Sequence, residues 1–114
     1  MIPPSPQNLV DCSTSYGNHG CNGGLMSKAF KYIIDKDGID SNKVYPYDGK
    51  DGKFRYSAQG RAGYCWSFRF LPHGNEKALQ YTVATVAPVS VAISSTLGTF
   101  RSYKGEYIMI QDAL

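Results

Sequence analysis

The stretch Ser5-Pro6-Gln7-Asn8-Leu9-Val10-Asp11-Cys12, with Tyr16-Gly17-Asn18-His19-Gly20-Cys21-Asn22-Gly23-Gly24 and Leu25-Met26 after it, decides how this chain is read. Ser5 can accept from the free backbone donors of a first helical turn, and Pro6 suits the first helical position. Together they predict a short helix ending near Cys12. Of the nine residues from Tyr16 to Gly24, four are glycine. Such a run permits positive φ and close backbone approach but has neither a helical nor a strand period. It predicts a loop against which something lies. A second helix follows. Met26, Ala29, Phe30, Ile33 and Ile34 recur at helical spacing between Leu25 and Lys36. Lys28, Lys31, Asp35 and Lys36 fill the other face, and Gly38 stands where a C-terminal cap belongs.

Downstream, residues 40–63 carry Tyr45-Pro46-Tyr47 and several glycines without a sustained period. Turn chemistry of this kind predicts a long ordered loop pinned by its tyrosines. Tyr64, Trp66, Phe68 and Phe70 alternate with Cys65, Ser67 and Arg69, the period of a strand with one buried face. Asn75 can cap a further helix, Glu76 favours its positive end, and Leu79, Val83 and Val86 form its inward stripe until Pro88. Val89, Val91 and Ile93 against Ser90, Ala92 and Ser94 predict another strand, and residues 107–110 one more. Helices that precede strands argue for an α+β arrangement with segregated layers.

A length of 114 residues fits one domain of ordinary size. The apolar fraction of 42% and charged fraction of 18% are near globular averages, so the chain reads as soluble and loop-rich. The formal charge of +3 is spread thinly and never forms a basic run, which leaves nucleic-acid and membrane-surface roles without support. No segment approaches transmembrane length, and the opening Met1-Ile2-Pro3-Pro4 has no signal-peptide pattern. Cys12, Cys21 and Cys65 are an odd set whose spacing fits neither a zinc site nor a redox pair. Either a partner lies elsewhere or all three are reduced thiols.

Nucleophilic catalysis needs a serine or cysteine beside a base. The two histidines, His19 in the glycine loop and His73 between Pro72 and Gly74, both read as surface loop residues, and no triad assembles from them. A zinc site built on His19, Cys12 and Cys21 lacks its fourth ligand. Gly23-Gly24 is no phosphate cradle, because no Lys-Ser or Lys-Thr follows it. Two readings of the glycines stay open. One is a backbone groove that pairs with an extended peptide by strand addition, and the other is a tight loop-to-helix turn without a ligand.

The runs already quoted, with Gly38-Ile39-Asp40-Ser41, Tyr45-Pro46-Tyr47, Gly74-Asn75-Glu76-Lys77-Ala78-Leu79 and Pro88-Val89-Ser90-Val91-Ala92-Ile93, closely resemble papain-family cysteine peptidases of the cathepsin S, K and L group. The likeness runs from about Ser5 to about Tyr107. It implies an α+β, papain-like fold comprising part of the helical left domain, residues 1–63, and the start of the β-rich right domain, residues 64–114. It also implies substrate-binding roles. Gly23 and Gly24 match the backbone that pairs with substrate, Leu25, Met26 and Ala92 match walls of the apolar specificity pocket, and His19 falls near an outer subsite. Peptide or protein substrates are the implied partners, with cystatin-like inhibitors as a further class, and no cofactor or metal is implied.

The nucleophilic cysteine and catalytic histidine of that family match no position in this chain. The resemblance therefore implies a truncated cysteine endopeptidase, inactive by itself. Two alternatives stand beside it: a non-catalytic peptide- or inhibitor-binding decoy, and an incomplete gene product without a role. The family implies a lysosomal or extracellular setting. It also implies that Cys21 pairs with an upstream residue and that Cys12 pairs near position 54, which here is Phe54. Loss of a native disulfide costs about 2–5 kcal/mol, so a weakly folded chain is expected.

Overall fold

Helix α1 spans Pro6–Cys12, and its start is set by Ser5, whose side chain accepts from the Asn8 N–H at 3.0 Å. In the computed structural model, which describes residues 1–96 and 98–105, the chain divides into two units, Met1–Phe68 and Arg69–Leu114. In the first unit, 3₁₀ turns at Thr14–Tyr16 and Gly20–Asn22 carry the glycine-rich loop into helix α2, Met26–Asp35. Helix α2 ends one residue earlier than the glycine pattern predicts. Asp37 adopts the left-handed conformation, φ 57°, and donates to the Ile34 carbonyl, while the Gly38 N–H closes back on Ile33 at 2.9 Å. This crossed pair of bonds satisfies the last carbonyls of the helix.

Strand β1, Ile39–Asp40, pairs antiparallel with β2, Arg61–Gly63. Between them the loop is pinned by two of its tyrosines, Tyr45 in the core and Tyr56, whose hydroxyl donates to the Lys36 carbonyl at 2.9 Å. Tyr45 is fully buried, whereas Tyr47 is exposed. The core beneath is largely polar. Cys12, Tyr32, Ile39 and Tyr45 are its buried apolar members, and Ser5, Gln7, Asn8, Asp11 and Asp40 are buried with them. Polar burial is costly unless partners are supplied, and in this set the Asp40 Oδ1 is the one buried side-chain oxygen that finds none among the described residues. Gln7 has its partners: its Nε2 donates to Asp11 and to the Lys50 carbonyl, both at 2.7 Å, and its Oε1 accepts from Asp48 and Gly49.

The strand expected over residues 64–70 does not form. Tyr64, Trp66 and Phe70 are exposed, and the only sheet among the described residues has two strands. Alternation prepares one face of a strand, but the ladder also needs an edge to pair with. Phe68 meets a ring instead, stacked on Phe30 at 5.9 Å.

In the second unit, helix α3 runs Glu76–Thr85 with Asn75 accepting from the Ala78 N–H at 2.9 Å, and it stops short of Pro88. Its inward stripe is only partly realised. Leu79 is half-buried, while Val83 and Val86 are exposed. Residues 89–94 do not form the expected strand, although Val91 and Ile93 border an apolar depression of about 460 Å³ together with Leu79 and Val83. A short helix α4, Gly98–Arg101, follows. The strand predicted at 107–110 lies outside the described residues. Helices and strands are both present, and the two described strands follow α1 and α2 in the first unit and precede α3 and α4. No helix among the described residues is long and apolar enough to cross a membrane.

Candidate functional site

An open depression of about 250 Å³ lies where the glycine-rich loop meets the start of α2. Gly23, Gly24, Leu25 and Met26 line it, with Leu9 and Val10 of α1. The fold thus brings four of the six residues singled out from sequence into one groove. His19 sits beside it, exposed, and its backbone N–H donates to the Gly23 carbonyl at 2.9 Å. Ala92 is exposed and belongs to the second unit.

The two adjacent glycines are needed for different reasons. Gly23 has φ 117°, a conformation that L side chains rarely adopt, yet nothing lies within 4 Å of a β-carbon added there. At Gly24 the demand is space, because an added β-carbon would come within 2.6 Å of the Asn18 Cγ. Asn18 is the residue that sequence reasoning missed. It is buried, its Oδ1 accepts from the Leu25 N–H at 2.8 Å, and its Nδ2 donates to the Ser13 Oγ at 2.9 Å. Ser13 donates in turn to the Leu9 carbonyl at 2.7 Å. A chain of side-chain bonds therefore ties α1 to the first residue of the α2 approach. An asparagine amid glycines is the available signal, since its short amide readily bonds nearby backbone.

With the loop so held, the N–H and carbonyl of Gly24 make no hydrogen bond among the described residues. The residue is exposed, and the next two side chains, Leu25 and Met26, are 57% and 40% exposed. A free donor and acceptor beside an open apolar wall can pair with an extended main chain and receive an apolar side chain.

The three cysteines are free. Cys12 is buried, 3.3 Å from the Asn8 Nδ2 and 3.6 Å from the Tyr45 hydroxyl. Cys21 is exposed, but desolvation and then the Asp51 carboxylate raise its thiol above the ordinary value. A catalytic thiol needs the opposite shift. Among the described residues no hydrogen bond joins a cysteine to a histidine, and no cluster of three or more His, Cys, Asp or Glu side chains could hold a metal.

These features describe a main-chain groove on an α+β frame. Residues 1–111 match the papain family of cysteine proteases, and the chain belongs to that family. Cathepsin S of Bos taurus is 51% identical over 105 residues, which cover 91% of this chain and 32% of the relative. Cathepsin K of Mus musculus is 49% identical, over 94% of this chain and 32% of its own length. A cathepsin L-like protein of Caenorhabditis elegans is 45% identical, over 91% of this chain and 31% of that protein. The chain spans about a third of the length of these curated relatives.

Solved structures agree. Digestive procathepsin L2 proteinase from the larval midgut of Tenebrio molitor superposes with a TM-score of 0.88 at 36% identity, over 96% of this chain and 34% of that one. Procathepsin L 3 from the same tissue gives 0.77 at 42% identity, over 81% and 30%. The fold is papain-like α+β.

Proposed function

We propose that this chain supplies the peptide-holding side of a cathepsin-like cleft and does not itself cleave peptide bonds. Gly23 and Gly24 present backbone to an extended peptide, Leu25 and Met26 receive its aliphatic side chain, and His19 borders the outer end, while the family resemblance gives Ala92 of the second unit a substrate-binding role. Residues 1–63 and 64–114 are its parts of the left and right papain-like domains. The observation that carries the reading is the unpaired N–H and carbonyl of Gly24 beside the exposed Leu25 and Met26.

Support for inactivity comes from the thiols. Acyl transfer requires a thiolate, a base and oxyanion donors acting together. Here Cys12 is buried among hydrogen-bond partners, and desolvation and then Asp51 shift the Cys21 thiol upward, away from the direction that activates a nucleophile. The test uses the 114-residue chain labelled with ¹⁵N and titrated with acetyl-Phe-Leu-Arg-amide. The Gly24 and Leu25 amide resonances are expected to shift saturably, and unmoved resonances at millimolar peptide would sink the groove. A fluorogenic Leu-Arg substrate is expected to stay intact, and turnover abolished by a thiol reagent would refute the inactivity.

A further inference from the structure

The glycine-rich loop is held at a second point besides Asn18. Asp51 lies in the loop between β1 and β2, and its Oδ1 accepts from the Cys21 backbone N–H at 2.7 Å. Cys21 is the middle residue of the Gly20–Asn22 turn, which ends at Gly23. The approach depends on Gly20. That residue has φ 57°, and a β-carbon there would overlap the Asp51 carboxylate, with its Cγ at 2.9 Å. Glycine is therefore needed for the backbone angle and for the passage of this acid. Asp51 is in turn fixed from behind. Gln7, fully buried, accepts from the Asp48 and Gly49 N–H groups and donates to the Lys50 carbonyl, and Gly52 packs against the Asp11 carboxylate, where an added β-carbon would lie 3.0 Å from Oδ1. Residues 48–52 thus form a strap whose anchored end is α1 and whose outer end is one carboxylate on the cleft loop.

We propose that Asp51 is a positioning residue of the cleft: its carboxylate clamps the Gly20–Asn22 turn to this strap and so fixes the Gly23–Gly24 backbone for an incoming peptide. The consequence for peptide rests on the function proposed above, while the clamp stands on its own geometry. A charge-assisted bond to a backbone N–H is stronger than a neutral one, and here it holds the loop at Cys21 while Asn18 holds it at Leu25. The raised Cys21 thiol agrees with this placement, because after desolvation the same carboxylate is its next cause.

The experiment compares the wild-type 114-residue chain with Asp51→Ala, Gly20→Ala and the double variant. Hydrogen exchange is read by NMR at the Cys21 and Gly24 amides, and iodoacetamide labelling is read by mass spectrometry at Cys21 and Cys12. In Asp51→Ala, Cys21 amide exchange is expected to quicken about tenfold. Cys21 labelling should rise several-fold, roughly in proportion to its thiolate fraction, and buried Cys12 should stay protected. Gly20→Ala should reproduce the exchange effect, and the double variant should add nothing to it, since both changes break one contact.

Unchanged Cys21 exchange in Asp51→Ala, with Cys12 still protected, overturns the clamp, as does simple additivity in the double variant. Should Asp51→Ala expose Cys12, the decision falls to Gly20→Ala by the same criterion. Binding of acetyl-Phe-Leu-Arg-amide should weaken about fivefold in Asp51→Ala, within the range of one surface hydrogen bond. A wild-type chain that ignores the peptide defeats the groove and the use of the clamp for binding. A wild-type chain that binds it while Asp51→Ala leaves Cys21 exchange unchanged defeats the clamp alone.

Discussion

The Tyr45 hydroxyl donates to the Asp11 carboxylate across 2.7 Å, joining the loop between the two strands to α1 thirty-four positions earlier. The same oxygen accepts from the Arg55 N–H at 3.3 Å and lies 3.2 Å from the Lys53 carbonyl, a competing acceptor for its single proton. Arg55 also lies over the Tyr45 ring, 4.6 Å from its centroid, and reaches Asp11 at 3.6 Å. Tyr45 and Cys12 meet at 3.6 Å, so this polar knot occupies the ground beside the buried thiol.

Tyr45→Phe keeps the ring and its stacking but removes the donor to a buried carboxylate. The expected loss is about 1–3 kcal/mol, the cost of leaving a buried polar group short of a partner. Urea unfolding measures it, and an unmoved midpoint would show that Asp11 is satisfied without the hydroxyl.

Gly24→Ala and Gly23→Ala should separate space from backbone strain. Alanine at 24 must displace the Asn18 side chain and with it the bond to Leu25, so peptide binding should fall by more than about tenfold. Alanine at 23 meets open space and pays only for its positive φ, about 1–2 kcal/mol of stability. Equal binding losses at the two positions, measured by peptide titration, would contradict this account.

Thiol labelling should follow burial and electrostatics together. Cys21 should react in the native chain, Cys12 only on unfolding. Because desolvation and Asp51 raise the Cys21 thiol, its labelling rate should climb with pH through a midpoint above that of a free cysteine measured alongside. A midpoint at or below the free thiol counts against the Asp51 contact.

Alkali should unfold the first unit early. Burial, and then hydrogen bonding to Cys12 for Tyr32 and to Asp11 for Tyr45, raises both phenols above their ordinary value of 10.0. A group held protonated by the fold keeps its contribution below its unfolded pKa, and that contribution is lost as pH rises from there toward the folded value. Stability should therefore be flat below about pH 10 and fall above it, by up to about 1.4 kcal/mol per pH unit for each phenol. Tyr45→Phe should make that fall shallower, and a slope unchanged in the variant would remove Tyr45 from the explanation.

The elements that read correctly from sequence are those whose causes are local. Ser5 and Pro6 start α1, Asn75 starts α3, and the apolar spacing of Met26, Ala29, Phe30, Ile33 and Ile34 makes α2. Each needs only residues within one or two turns. The family motifs were equally legible, and the consecutive Gly23, Gly24, Leu25 and Met26 line one depression.

What the sequence could not settle was everything that needs a distant partner. The alternation of Tyr64, Trp66 and Phe70 marks a face but not an edge to pair with, and no strand forms there. Asn18 under Gly24, Asp51 on Cys21 and Tyr45 on Asp11 are contacts of two hydrogen-bonding groups whose separation in the chain carries no period. Capping and periodicity are short-range effects written in neighbouring residues. Which polar groups meet in the core, and so which backbone atoms of the cleft are left open, is decided only when the folded chain must find partners for most of its buried donors and acceptors at once.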